Sequence, residues 1–299
     1  MRDPWRFPSI HSSSSTARMH PFSTATAATA VFLLSALPAH AQVTDAPAAF
    51  EVCEEPNILQ TLCDPTATTF SLNSTNVYFP LIPGTLNVLA GPEGPLPTIN
   101  NTEAAAGGGG RMRVLLRRGS RRRLQDDDGD GREEIIQLER RVLNETEEVM
   151  GVETFIIETR EYTDGTLTEL KRGFYVEAAD GTVCYMGEDA TEYDDSGAVV
   201  VEDSWRAGEA GALPGIAMPA MPQKGDVFLE EFVPGESMYT GRVAFVEVEA
   251  TIAGETITNQ AIKIVEMDAL EGCVEEEPKF YAPEIGLIMQ DRLVLHDRS

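Results

Sequence analysis

From Gly151 onward the chain alternates between runs rich in β-branched and aromatic residues and short polar turns. The stretch "GVETFIIETREYTDGTLTELKRGFYVEAADGTVCYMGE" places Asp164-Gly165 and Asp180-Gly181 between such runs. Asp-Gly in this setting predicts a tight β-hairpin, because both residues tolerate the positive φ of a type I′ turn. Ser196-Gly197 predicts a third hairpin turn before "AVVVEDSW".

The rest of the chain continues this strand pattern. A proline-rich loop over residues 207–226 precedes "VFLEEFVPGE", "SMYTGRVAFVEVEATIAG", "ETITNQAIKIVEMD" and "PKFYAPEIGLIMQDRLVLH". In "RVAFVEVEATI" apolar residues fall on both faces of the predicted strand, which favours a curved sheet over a flat one with one wet face. We therefore predict an all-β fold, a single antiparallel up-and-down meander of about nine to eleven strands that forms a curved sheet or half-barrel.

The N-terminal residues have the features of an export signal. The apolar run Thr24–Leu37 is too short to span a bilayer, and small residues at Ala39 and Ala41 suit cleavage before Gln42. Translation is expected to start at Met19, since the residues before it add nothing that a signal needs. No later run approaches ~18 apolar residues, so we predict no integral membrane span and a periplasmic or secreted location.

The predicted organisation has three parts. Residues 1–41 form the signal region, residues 42–75 form an N-terminal arm, and residues 76–299 form the β domain. Within that domain, proline and glycine mark a flexible insertion at about residues 92–131.

Charge and histidine content exclude several classes of protein. The chain carries 49 acidic and 23 basic residues; three arginines and one aspartate lie in residues 1–41, which leaves 48 against 20 and a net charge of −28. Nucleic-acid and anionic-membrane partners both need a positive field, so neither is expected. His296 is the single histidine outside residues 1–41. Ser-His-Asp, Cys-His and multi-histidine zinc sites are thereby excluded.

The four cysteines, Cys53, Cys63, Cys184 and Cys273, predict two disulfides in an oxidising compartment. Three connectivities exist. We favour Cys53–Cys63 within the arm and Cys184–Cys273 across the β domain. None of the cysteines has the CxxC spacing of a redox or zinc motif.

An acidic run in the insertion has half of a calcium loop. Alternate carboxylates before a glycine, as in "DDDGDG", supply the oxygen ligands that a hard cation needs. The candidate metal ligands are Asp126, Asp128, Asp130, Glu133 and Glu134. The twelfth loop position is Gln137, where a bidentate glutamate is expected. The pattern therefore leaves open a calcium site and a solvated acidic turn, and calcium is the one cofactor it suggests.

Seven arginines between Arg111 and Arg123 precede that run. Four interpretations stay open for them: a solvated loop, pairing with the protein's own acidic surface, docking of a partner, and cleavage by trypsin-like proteases.

Side chains at strand ends offer candidate ligand-binding positions. They are Trp205, Met218, Met221, Phe174 and Tyr281. In a half-barrel such residues either fill the core or line a cavity for an apolar ligand, with the loop "GALPGIAMPAMP" as a lid. Carboxylates are too abundant for adjacency to mean much, but residues 187–189 and Glu231, near Trp205, are predicted to form a polar cluster. Two carboxylates at a fixed separation suffice for glycoside hydrolysis.

Five motifs occur in order along residues 76–292: "YFPLIPGT" from Tyr78, "YMGED" from Tyr185, "SWRAG" from Ser204, "PGIAMP" from Pro214 and "YAPEIG" from Tyr281. With these motifs the chain resembles an uncharacterised family of exported bacterial proteins. The resemblance implies a β half-barrel like that of periplasmic lipoprotein-carrier domains, and it implies no chemistry. Two features depart from the family pattern: the long insertion, and Glu284 in place of glycine in the closing motif.

Together these observations predict an exported, non-enzymatic binding protein for an apolar small molecule, a lipid or an envelope protein. Two alternatives remain: a structural or interaction module stabilised by calcium and disulfides, and a carboxylate-dependent hydrolase. The sequence contains no phosphate-binding glycine loop and no nucleophile elbow.

Overall fold

The computed structural model describes residues 52–91, 98–101, 135–252, 255–273 and 278–299, all within one compact unit that begins at Ala49. In this part of the chain the only helical element is a 3-10 turn, η1 (Gln60–Cys63). The strands are β1 (Phe70–Ser71), β2 (Leu86–Ala90), β3 (Thr98–Asn101), β4 (Ile136–Val149), β5 (Val152–Thr163), β6 (Thr166–Ala178), β7 (Val183–Tyr193), β8 (Val199–Arg206), β9 (Gly215–Met218), β10 (Val227–Val233), β11 (Ser237–Ile252), β12 (Glu255–Asp268), β13 (Lys279–Ala282), β14 (Gly286–Gln290) and β15 (Leu293–Arg298). The predicted signal region, and the predicted insertion apart from β3, lie outside the described residues. No helix in the described ranges is long and apolar enough to cross a membrane.

All fifteen strands belong to one antiparallel sheet. Twelve follow the order β10-β11-β12-β13-β14-β15-β2-β4-β5-β6-β7-β8, while β1 pairs with β6, β3 with β11 and β9 with β7. The predicted all-β fold is confirmed, and the sheet curves into a nearly closed, barrel-like form. The strand count exceeds the predicted one because β1, β3 and β9 arise in segments whose composition predicts loops.

The three predicted hairpin turns are confirmed, although only one has both central residues at positive φ. Asp164 and Gly165 join β5 to β6 with φ of 50° and 81°, as a type I′ turn requires. At the other two turns the glycine alone has positive φ, 94° at Gly181 and 79° at Gly197. A side chain completes the last turn, since Asp194 accepts the backbone N–H groups of residues 196 and 198.

The apolar positions on both faces of β11 contribute to two cores. Val243 is fully buried in the main core, and Val248 is buried in a second, smaller one. Between them the pairing of β11 with β12 slips in register. Such bulges bend a strand and increase its twist, and the curved sheet follows from them.

The N-terminal arm is tied to this sheet by two disulfides. The predicted pairing is wrong, because the bonds join Cys53 to Cys273 and Cys63 to Cys184. The reason is the path of the arm. Its strand β1 pairs with β6, and Cys63, which precedes β1, lies with its Cα 5.5 Å from that of Cys184 on β7. The two disulfides indicate an oxidising, extracytoplasmic environment.

The opening motif of the β domain fills one end of the barrel-like sheet. Phe79 is buried against the rings of Tyr175 and Tyr281, with centroids 5.2 and 6.2 Å away. The segment is held by the buried carboxylate of Glu177, which accepts the backbone N–H groups of Thr75 and Asn76 at 2.7 and 3.0 Å. These charge-assisted bonds fix the segment before it enters the core.

The closing motif contacts the same segment. Glu284 has φ of 64°, the left-handed conformation that glycine favours, and its N–H donates to the carbonyl oxygen of Val77 at 2.6 Å. Left-handed φ costs a non-glycine residue about 1–2 kcal/mol. This turn therefore keeps the glycine geometry with a glutamate in place.

Candidate functional site: an acidic cavity beside the sheet seam

The two end strands of the sheet, β8 and β10, meet at a seam. The outer edge of β7 pairs with β9 over residues 183–185 and with β8 over residues 187–193. On the β9 side the seam is closed, because Leu213 forms a bridge with Phe232 and Gly215 packs directly on the backbone of Glu230. On the β8 side no pairing with β10 occurs among the described strands.

A cavity of about 280 Å³ opens where the seam is not paired. Its lining comes from β6, β7 and β8 on one side and from β10, β11 and the end of β12 on the other. Eight of the sixteen lining residues are acidic: Glu169, Glu188, Glu192, Asp203, Glu231, Glu236, Asp268 and Glu271. Lys171 is the only basic residue in the lining. Acidic side chains therefore outnumber basic ones in the lining by eight to one.

Glu231 is the carboxyl group of the cavity with the most perturbed environment. Burial, and then the nearby charge of Glu188, raise the pKa of Glu231 to about 7. Across the cavity the phenol of Tyr185 donates to Glu188 at 2.6 Å. Burial lowers the pKa of Lys171, but Glu188 and Glu169 outweigh it and raise that pKa overall. Lys171 is thus held as an ammonium, and the carboxyl group of Glu231 changes charge near neutral pH.

An aromatic ladder leads from the cavity into the interior. Trp205 lines the cavity and meets Tyr185 edge to face at 5.2 Å, and Tyr185 stacks on Tyr175 at 4.7 Å. Tyr175 in turn contacts Phe79. The indole nitrogen of Trp205 is buried and donates no hydrogen bond within the described residues.

A charged group lies deeper in the interior beside the seam. The ammonium of Lys279 is 2.5 Å from Glu266 and 3.8 Å from Glu230. Burial and then the charge of Glu266 raise the pKa of Glu230 well above its usual value. Burial lowers the pKa of Lys279, but the charges of Glu266 and Glu230 outweigh burial and raise that pKa. Burial therefore favours the neutral form of Glu230, while the neighbouring carboxyl groups favour the charged form of Lys279.

Arg206 fixes the strand that carries Trp205. Its guanidinium binds both carboxylate oxygens of Asp189, at 2.9 and 3.0 Å, and donates to the carbonyl oxygen of Glu188 at 3.1 Å. The same group lies 4.0 Å from the ring centre of Phe174. The bidentate geometry holds β8 on β7 and so positions one wall of the cavity.

The predicted ligand-binding residues do not gather at one place. Trp205 lines the cavity, whereas Phe174 and Met218 are buried in the main core. Tyr281 lies at the inner end of the aromatic ladder, and Met221 is 80% exposed. The predicted polar cluster is brought together in part, because Glu188, Glu231 and Trp205 line the same cavity, whereas Gly187 and Asp189 do not.

The predicted calcium ligands at residues 126, 128, 130, 133 and 134 lie outside the described residues. Gln137, the twelfth position of that loop, lies in β4, paired with β5. Within the described ranges no group of three or more His, Cys, Asp or Glu side chains is placed to hold a metal ion.

Several cavity residues were not predicted from the sequence. Glu169 and Lys171 lie on β6 at alternate positions, on the face that also carries Gly173 and Tyr175. Side chains alternate along a strand, so Glu169 and Lys171 share the face of β6 that carries Tyr175 further along. Charged residues on a face that is apolar elsewhere on the same strand indicate a polar interior. Asp268 ends β12 and Glu271 lies in the turn that follows, and neither carries such a signal.

No family model, curated protein or solved structure matches this chain. The site is therefore interpreted from its own geometry and chemistry.

Proposed function

We propose that this protein is a periplasmic or secreted, non-enzymatic binding protein whose cavity takes a small organic cation. The observation that carries the proposal is the cavity lining, in which eight carboxyl groups face one ammonium. Unlike charges attract strongly where water is partly excluded. Trp205 and Tyr239 add aromatic faces, which favour ammonium and guanidinium groups.

The size and polarity of the cavity narrow the ligand further. About 280 Å³ is just below the usual range for drug-sized ligands, so a diamine or a single basic side chain fits better than a large molecule. The apolar ligand that the sequence favoured remains a prediction. The acidic cavity favours a cation, because carboxylates covered by a hydrocarbon would lose water without gaining a partner.

The proposal predicts that 1,4-diaminobutane and spermidine bind, with heat measurable by titration calorimetry. Replacing both Glu188 and Glu231 by glutamine should weaken binding by about a hundredfold or more, since each hydrogen bond to a charged group contributes about 1.5–3 kcal/mol and about 1.4 kcal/mol corresponds to tenfold. Glu202→Gln is the matched control, because Glu202 lies on β8, is exposed and does not line the cavity. Equal affinity of the double variant and the control would contradict the proposal.

The affinity should also depend on pH in a defined direction. The pKa of Glu231 is about 7, so its carboxyl group is largely neutral at pH 6 and ionised at pH 8. Only the ionised form attracts a cation, and we expect affinity to rise about five- to tenfold from pH 6 to pH 8. At pH 7 binding should release protons, which calorimetry in buffers of different ionisation enthalpy detects. Glu231→Gln should remove both effects; an unchanged pH profile in that variant would assign the dependence to another group.

A carboxylate-dependent hydrolase is the second candidate function. Glu231, with a pKa of about 7, and Glu188 line one cavity together with Trp205, and a carboxyl group of that pKa suits general acid–base chemistry near neutral pH. Turnover of chromogenic glycosides that disappears in Glu231→Gln would favour it. Turnover unchanged in that variant would remove it.

A further inference from the structure

The two end strands of the sheet are protected to different degrees. The edge of β10 is covered: Val227 exchanges hydrogen bonds with Asn57 of the arm, and Phe232 forms the bridge with Leu213. The edge of β8 pairs with β7 alone among the described strands. Edge strands left open in this way readily accept another strand.

The composition of β8 strengthens this contrast. Three successive valines, Val199, Val200 and Val201, are 51%, 54% and 40% exposed. Natural edges are usually blunted by charged side chains, lysine above all, by proline or by a very short strand. β8 has eight residues without lysine or proline, and its charged residues are Glu202, Asp203 and, at its end, Arg206. On the same strand the backbone N–H of Ser204 donates to the side-chain oxygen of Asp203 at 2.8 Å, so this N–H group already has a partner within β8.

The open edge runs along the mouth of the acidic cavity. Val201, Asp203 and Trp205 lie on one face of β8 and line the cavity together with Ser204, while Val200 and Glu202 do not. A strand added beside β8 would direct every second side chain toward the same cavity.

The charge of β8 and of the cavity indicates which kind of strand would bind at this edge. β8 carries Glu202 and Asp203, and it borders a lining with eight acidic residues. A second copy of β8 would oppose acid with acid, whereas a basic strand gains backbone hydrogen bonds, valine contacts and charge pairing together.

We propose that β8 accepts an extended basic segment of a partner polypeptide, which adds as a strand and places a lysine or arginine side chain in the acidic cavity. This inference rests on the proposed binding of a cation and names the class of partner.

The test uses the full chain and a fluorescent, end-capped peptide of sequence Thr-Lys-Val-Lys-Val-Lys-Thr, followed by anisotropy. We expect the peptide to bind at least about tenfold more tightly than 1,4-diaminobutane, because the backbone contributes in addition to charge. Methylation of alternate peptide nitrogens should remove that advantage, and a glutamate-for-lysine peptide should not bind.

Two adjacent substitutions supply the matched pair. Val201→Lys puts a tethered ammonium in the cavity and should weaken peptide binding more than about tenfold. Val200→Lys adds the same charge on the other face of the strand and should change binding less than about threefold. Far-ultraviolet circular dichroism establishes that both variants keep the fold.

The outcomes separate this inference from the proposed function. If diamines bind but the peptide binds no more tightly and methylation has no effect, the strand inference fails and the cation site stands. If neither ligand binds, both fail. If a chain that lacks residues 107–125 binds the peptide about tenfold more tightly, the protein's own arginine run occupies the edge of β8. That result would overturn the inference of a separate partner polypeptide. A dimer that Val201→Lys dissociates would assign it to a second copy.

Discussion

Gly215→Ala is expected to lower the free energy of unfolding by about 3 kcal/mol or more, the upper end for overpacking a buried site. A Cβ at this position would overlap the carbonyl oxygen of Glu230 and lie 2.7 Å from its carbonyl carbon. Both atoms belong to the backbone, so no side-chain rotation relieves the contact. The seam between β9 and β10 must open instead, which also displaces Glu231. Urea denaturation and diamine titration measure the two effects.

Two controls separate the overlap from the general effect of replacing a glycine or altering β9. Gly235→Ala introduces a Cβ into open space at φ of 81°, so it should cost only the roughly 1–2 kcal/mol of a left-handed alanine. Ala217→Gly removes a methyl group from the same strand and should cost about 1 kcal/mol. If Gly215→Ala is as stable as Gly235→Ala or more so, close packing at the seam contributes nothing to the free energy of unfolding.

Removing the disulfide between Cys63 and Cys184 should lower the free energy of unfolding by about 4–5 kcal/mol. The bond joins residues 121 positions apart, and cross-links over ~100 residues are expected to restrict the unfolded chain to this extent. Both sulfurs lie in the main core, so replacing the pair by alanine also removes packing. Guanidinium denaturation of the double variant Cys63→Ala/Cys184→Ala measures the change.

The other disulfide provides the comparison. Cys53 is partly buried and Cys273 is exposed, so alanine at these positions removes the cross-link with little loss of packing. We therefore expect the Cys53→Ala/Cys273→Ala variant to be the more stable of the two double variants. The reverse order would mean that core packing around Cys63 adds nothing to the cross-link.

The hairpins of this fold were predictable because their signals are local. Asp164-Gly165 lies between two runs with β composition, and turn and strands are specified within about thirty residues. The same holds for the turns at Gly181 and Gly197. Apolar residues on both faces around Val243 likewise predicted curvature without any knowledge of the partner strands.

Long-range pairing left no such signal. The arm places Cys63 opposite Cys184 in a fold where β1 pairs with β6, and nothing in the spacing of the cysteines encodes that arrangement. β9 lies in a stretch with two flanking prolines, Pro214 and Pro219, which indicate a loop. Its strand conformation comes from pairing with β7 and from packing against β10, so tertiary contacts override the local preference.

The site was predictable in part. Glu188, Glu231 and Trp205 were grouped as a polar cluster and share one cavity, but the acidic character of the whole lining was not foreseen. With 49 acidic residues in the chain, those that face inward cannot be told from those in solvent until the register of β6, β7 and β10 is known.

The position of β15 has a consequence for how the chain matures. β15 follows the other described strands in chain order, yet it lies in the middle of the sheet, between β14 and β2. Until Leu293–Arg298 is in place, β2 and β14 each expose an unsatisfied row of peptide groups, a state prone to aggregation. A folding chain of this topology therefore gains from binding a chaperone until β15 has paired.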